Sequence, residues 1–398
     1  METMVRMMKS IFNNQTIFVI ILTLGTIGSI LQTAGGNWDI TSHLMNEPET
    51  FFTSSHALLY FGIGLLILTT IFSIVYYLKN PFIKKNKIFL IYLKLLVIGS
   101  VLCIISGPSD YFWHEAFGVD GLLSPTHFLL VTGMFINSIS VTIGLVSISC
   151  VRRLEIIRKM VLICSFSALL LSSMGYVFLF TLPFSNGENF NFNINSDIAA
   201  IIATITIPMI FSIIYFTSSK VIGLFGTGSM IATIVIIINI STNFLPTGNI
   251  LTPTIWWYLP VGLIPVLFAD IVFRIYNNSK FNIEKRTLTM LLIGIIIGSN
   301  FYFFNFPKIV WIYSEPMNMA TLINSESGLA ISELYYNFLS TLPITSVISI
   351  ISGSFMGIIG IFISNLIISK INDLKKIEFA NNLTNRNINN FLINNRRI

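Results

Sequence analysis

Gly107-Pro108-Ser109-Asp110-Tyr111-Phe112-Trp113-His114 is a polar interruption in an apolar chain, and His127 follows His114 by thirteen residues, within Ser124-Pro125-Thr126-His127. The same spacing occurs earlier. Asp39 precedes His43 by four residues, as Asp110 precedes His114, and His56 follows thirteen residues on. Matched positions are 71 residues apart, and the double pattern uses all four histidines of the chain. This predicts two helical hairpins, each carrying its polar residues near the turn.

The agreement extends on both sides. Residues 27–62 align with 98–133 without a gap: Ile27-Gly28-Ser29 meets Ile98-Gly99-Ser100, Gly36 meets Gly107, Leu58-Leu59 meets Leu129-Leu130, and Gly62 meets Gly133. Glu49 stands opposite Asp120. Similarity at one fixed offset is the mark of an internal repeat, here the duplication of a two-helix unit.

The medium for these hairpins follows from composition. Of 398 residues, 54% are hydrophobic and 10% charged, with a mean hydropathy of +0.80. Soluble domains carry roughly 25% charged residues. The chain therefore reads as an all-α polytopic membrane protein whose partner is the lipid bilayer, its length divided among many spans of about 20 residues. The first apolar run is long enough to span and lacks a small-residue cleavage site, so no signal peptide is expected.

The net charge of +6 does not point to nucleic acid. Lys79, Lys84, Lys85 and Lys87, then Arg152, Arg153, Arg158 and Lys159, then Arg274, Lys280, Lys285 and Arg286 occupy alternate connections, and no Lys or Arg falls between residues 10 and 78. That is the positive-inside pattern. It predicts about ten spans, near 16–34, 54–77, 88–106, 125–149, 160–182, 198–217, 221–241, 254–273, 288–305 and 339–369. Both termini are then cytoplasmic and both histidine segments lie outside. Residues 1–159 form a four-span core, 160–370 a further six-span bundle, and 371–398 a polar cytoplasmic tail. The excess of Ile, Asn and Lys suits an AT-rich prokaryotic genome and hence a plasma-membrane location. Cys103, Cys150 and Cys164 have no metal-ligand spacing and read as small core residues.

Residues four apart share a helix face, so Asp39/His43 and Asp110/His114 each present a carboxylate and an imidazole to one point. His56 and His127, at the start of the returning spans, complete two Asp/His/His sets. Such a set suits copper, iron or zinc and leaves positions open. Glu49 and Asp120 are placed to support an imidazole N–H. Gly35-Gly36 and Gly107-Pro108 are expected to interrupt the first and third spans, and Trp38, Tyr111 and Trp113 to shield the sites. No catalytic residue is assigned, since neither a Ser/His/Asp arrangement nor His-Glu-x-x-His occurs. Metal- or proton-coupled transport is an alternative, as is haem held by His56 and His127. Asp270 and Arg274, four residues apart near an inner span end, read as an interfacial ion pair.

Over about residues 27–140 the chain resembles the C subunit of the copper membrane monooxygenases, the particulate methane and ammonia monooxygenases. The resemblance rests on Asp-x3-His-x12-His and on Trp113-His114, Asp120 and Ser124-Pro125-Thr126-His127, similar to the family's Trp-His…Asp…Thr-Pro-Ser-His. It implies copper at Asp39, His43 and His56 and at Asp110, His114 and His127, with Asp110 where the family has Asn. It also implies monooxygenase-like oxidoreductase chemistry, and work alongside other membrane subunits or a homo-oligomer. Ser54-Ser55 replaces the family's Pro in the first copy, and 160–398 has no counterpart in it.

Overall fold

The computed structural model describes residues 2–44, 50–80, 83–117, 122–148, 152–181, 192, 194, 196–247, 253–277, 284–299, 347 and 350–374. These residues are helical with short connections, and no strand occurs among them. The helices are α1 (Glu2–Leu44), α2 (Ser54–Lys79), α3 (Lys87–Phe117), α4 (Pro125–Ser147), α5 (Arg152–Thr181), α6 (Ser196–Ile222), α7 (Thr227–Thr247) and α8 (Pro253–Tyr276). They are followed by α9 (284–299) and α10 (Ile350–Leu374). Among the described residues, seven helices are long and apolar enough to cross a bilayer: α1 to α6 and α10. In α7 the apolar stretch, Thr227–Thr242, is shorter.

The hairpins α1–α2 and α3–α4 are the most intimately packed pairs. Bilayer lipid is as apolar as leucine, so helices associate in it by close packing and interhelical hydrogen bonds, and small residues at the crossings favour both. A Cβ on Gly62 would lie 2.8 Å from the Gly28 carbonyl, and one on Gly133 would lie 3.0 Å from the Gly99 carbonyl. The two hairpins therefore cross at positions 71 residues apart. Gln32 ties them together by donating from Nε2 to the Met134 carbonyl, 3.0 Å away.

Where the hairpins end differs from the expectation. Helix α1 runs without a break through Gly35-Gly36 to Leu44, and α3 runs through Gly107-Pro108 to Phe117. Gly35 is a contact point, since a Cβ there would lie 2.7 Å from Leu59 Cα on α2. Pro108 has no N–H to donate, yet the helix continues past it. Asp39 and Asp110 consequently sit on the helices themselves. Both belong to the last turns of their helices, while His56 and His127 belong to the first turns of α2 and α4.

Phe18, Tyr76, Phe89 and Tyr92 cluster where α1, α2 and α3 meet at the other end, with Phe18 stacked on Tyr76 at 5.2 Å and tilted on Phe89 at 5.0 Å. Helix α5 is the most deeply buried of the candidate spans and packs on α1, α4, α6 and α7. Its first turns carry Arg158, which grips Glu155 with two nitrogens and donates to the Leu145 carbonyl at the end of α4. A helix C-terminus exposes such carbonyls and favours a cation.

Asp270 departs from its expected pairing. Its carboxylate accepts from the Gly228 and Ser229 backbone N–H groups and from the Ser229 hydroxyl. It thus caps α7 from α8, where orphan N–H groups and the helix dipole favour an anion. Arg274 lies over the Phe225 ring, 5.1 Å from its centroid. Cys103 is buried and Cys164 half-buried, both as free thiols.

In α9 and α10, Gly294 and Gly298 interlock with Gly353 and Gly357. A Cβ on Gly298 would strike the Gly353 carbonyl, and one on Gly357 would strike the Gly294 carbonyl. This is a small-residue crossing of the GxxxG type. Helix α10 also joins α6 through Thr217 and Ser364, 2.6 Å apart.

Candidate metal centre

The site is built from the N-terminus of α4. Ser124 is the N-cap, its Oγ accepting from His127 N at 3.1 Å, and Pro125 occupies the first helical position. A serine cap satisfies an otherwise orphaned N–H, and proline there gives up no hydrogen bond. Thr126 and His127 are thereby fixed on the first turn, facing α3. Thr126 Oγ1 donates to Asp110 Oδ1 at 2.6 Å.

Around Asp110 the imidazoles converge. His127 Nε2 lies 3.3 Å from Asp110 Oδ1, and His114 Nε2 lies 3.5 Å from Asp110 Oδ2. The rings of His114 and His127 are 5.3 Å apart. One donor atom from each of the three residues falls within 4.8 Å of the others, and Asp110 is buried.

The first hairpin repeats the construction. Thr53 precedes α2 as its N-cap residue, and Ser54, Ser55 and His56 occupy the positions of Pro125, Thr126 and His127. Ser55 Oγ donates to Asp39 Oδ1 at 2.7 Å, and His56 Nε2 lies 3.1 Å from the same oxygen. Ser55 therefore gives Asp39 the hydroxyl that Thr126 gives Asp110. His43 lies on α1, but its side chain is outside the described residues, as are Glu49 and Asp120.

The histidines' outer nitrogens decide the electrostatics. His127 Nδ1 is 3.1 Å from the Leu122 carbonyl, and His56 Nδ1 is 3.0 Å from the Thr50 carbonyl. A carbonyl only accepts, so each Nδ1 carries the proton. In a neutral imidazole Nε2 is then a lone pair, and in both hairpins it faces a carboxylate oxygen. Two acceptors hold this arrangement only with a positive charge between them, either a proton on Nε2 or a metal ion. Donors about 2.05 Å from a tetrahedral centre stand roughly 3.3 Å apart, and the Asp–His separations here are 3.1–3.5 Å. Among the described residues, Asp110, His114 and His127 thus form a group able to hold a metal ion.

Aromatic side chains flank this end of the bundle. Tyr60 stacks on His56 at 5.7 Å, and Phe51 bridges Tyr60 and Tyr111 at 5.0 and 5.3 Å. Trp113 packs on Phe117 and Phe192. Between the hairpins lies a cavity of about 60 Å³ with Asp39, Asn37 and Thr33 on one wall, His127, Val131 and Met134 on another, and α5 closing it. Both histidine motifs therefore occupy the same end of the molecule.

Sequence reasoning missed Ser55 and Thr126, although a hydroxyl immediately before each second histidine was a readable signal. It also missed Asn37, whose amide donates to Asn239 on α7 at 3.2 Å, and the wall supplied by α5. No protein-family model matches the chain, and comparison with curated proteins and with solved structures yields no match.

Proposed function

We propose that this chain is a multi-pass metalloprotein of a prokaryotic plasma membrane. In this reading it has ten spans, both termini inside, and a metal held at the outer face by Asp110, His114 and His127. Asp39, His43 and His56 form a second, equivalent set. The observation that carries the reading is that in both hairpins an imidazole Nε2 faces a carboxylate oxygen at 3.1–3.3 Å, each imidazole being held through Nδ1 against a backbone carbonyl. Imidazole and carboxylate ligands suit copper, with iron and zinc as alternatives.

The resemblance to copper membrane monooxygenases makes an oxidoreductase subunit the favoured role, in company with other membrane subunits or further copies of the chain. A bound redox-active metal would supply electron transfer and an open position for a small ligand. The protein's part is to hold the carboxylate through Thr126 or Ser55, to fix each imidazole's tautomer, and to surround the donors with apolar residues. Transport is the weaker alternative, because transporter sites are usually formed near the midplane by interrupted helices, whereas α1 and α3 are continuous to their ends. Each of His56 and His127 faces its own hairpin's aspartate, which favours separate metal sites over a shared haem.

Thr126→Val tests the reading with little structural disturbance. It removes the hydroxyl that orients Asp110 while keeping volume, and supporting partners of this kind contribute roughly 10- to 100-fold to metal affinity. The expected result is a loss of that size at one of two sites, read by competition with a chromogenic chelator. Unchanged affinity at both sites would count against the assignment.

A further inference from the structure

The cavity between the hairpins has a feature that neither hairpin supplies. Asp39 of the first set and His127 of the second line one space of about 60 Å³, and the remaining wall is α5, through Leu171, Ser172, Gly175 and Leu179. Because α5 lies outside the two repeated segments, the wall has only one version. Gly175 is its open point: a Cβ built there meets no atom within 4 Å. Gly36, which lines the cavity from α1, is already filled in, with Met134 Cε 3.3 Å from its would-be Cβ.

Resting on the metal reading above, we propose that α5 closes a ligand chamber common to both hairpin sites, and that Gly175 sets the size of what enters. A cavity needs at least about 10–15 Å³ of such space to hold one water, so the chamber has room for one small molecule of a few non-hydrogen atoms. Its lining is mostly aliphatic: Ile40, Leu59, Leu130, Val131, Met134 and Leu179. An uncharged ligand is therefore preferred, because burying a charge there without a partner is costly. The polar side chains of the lining are Asp39, His127, Asn37, Thr33 and Ser172.

The test uses the full-length chain in detergent, loaded with copper and reduced. Carbon monoxide is the small uncharged probe and tert-butyl isocyanide the large one, each followed by its infrared stretch on the metal, with copper content measured in parallel. Wild type is expected to bind carbon monoxide and to exclude the isocyanide. Gly175→Leu, which puts an isobutyl group into this space and leaves every proposed ligand unchanged, is expected to keep its copper and weaken carbon monoxide binding at least tenfold. Gly175→Ala adds one methyl to open space and should fall between the two, which keeps the test decisive even where the leucine variant folds poorly. Full copper content with carbon monoxide affinity indifferent to residue 175, or isocyanide bound as readily as carbon monoxide, overturns this inference alone. A wild-type chain that takes up no copper removes the metal reading and this inference with it.

Discussion

Asp110→Ala is expected to yield a folded chain that has lost metal at the second hairpin. The carboxylate is the only anionic member of its cluster among the described residues, and it faces both imidazoles. Without it two neutral donors remain, the positive charge at the centre is uncompensated, and the Thr126 hydroxyl loses its acceptor. The loss should exceed the roughly 10- to 100-fold that follows removal of a supporting partner. Asp110→Asn should fall short of that, since the amide oxygen still accepts from Thr126 and can still ligate. A chelator competition on wild type and both variants checks the order, with thermal unfolding in detergent as the control for folding. Equal affinities in all three would mean that Asp110 is not a ligand.

Gly62→Leu should act on the fold instead. A Cβ at residue 62 would lie 2.8 Å from the Gly28 carbonyl and 2.9 Å from Gln32 Cα, and it would also run into the Gln32 backbone nitrogen. These are backbone atoms of α1, so no flexible side chain can yield. Overpacking typically costs about 1–3 kcal/mol. With backbone on two sides the upper end is expected, together with separation of α1 from α2 and loss of the Gln32–Met134 link. Gly64→Leu is the matched control, because its Cβ meets nothing within 4 Å. Size-exclusion profiles and unfolding midpoints should show a large loss for residue 62 and almost none for residue 64. Similar behaviour of the two variants would remove the crossing from the account.

The helical hairpins were readable from the spacing of scarce residues. Four histidines at a single offset, with aspartates four residues earlier, placed His56 and His127 at the start of returning helices, and both are there. Helix ends were less readable. Gly35-Gly36 and Gly107-Pro108 suggest interruption by local propensity, yet both helices continue. Within a bilayer every backbone group needs an internal partner, and Gly35 is needed for the approach of Leu59. Asp270 shows the same limit in reverse. Its neighbour in sequence is Arg274, but the orphan N–H groups of α7 are the stronger claim on a buried carboxylate, and only the packing of α7 on α8 reveals them. Thr126 and Ser55 escaped notice because a hydroxyl beside a histidine acquires meaning only when an aspartate sixteen residues earlier returns to meet it. The glycines of α9 and α10 likewise matter through each other. Of the proposed ligands and supports, the side chains of His43, Glu49 and Asp120 fall outside the described residues.

The most direct measurement is the metal content of the purified full-length protein by elemental analysis, after separate exposure to copper, iron and zinc and removal of loosely held ions. One to two equivalents of tightly bound metal per chain are expected, copper favoured. A chain that remains metal-free after all three would mean that protons alone occupy the space between imidazole and carboxylate, and that the protein is not a metalloprotein.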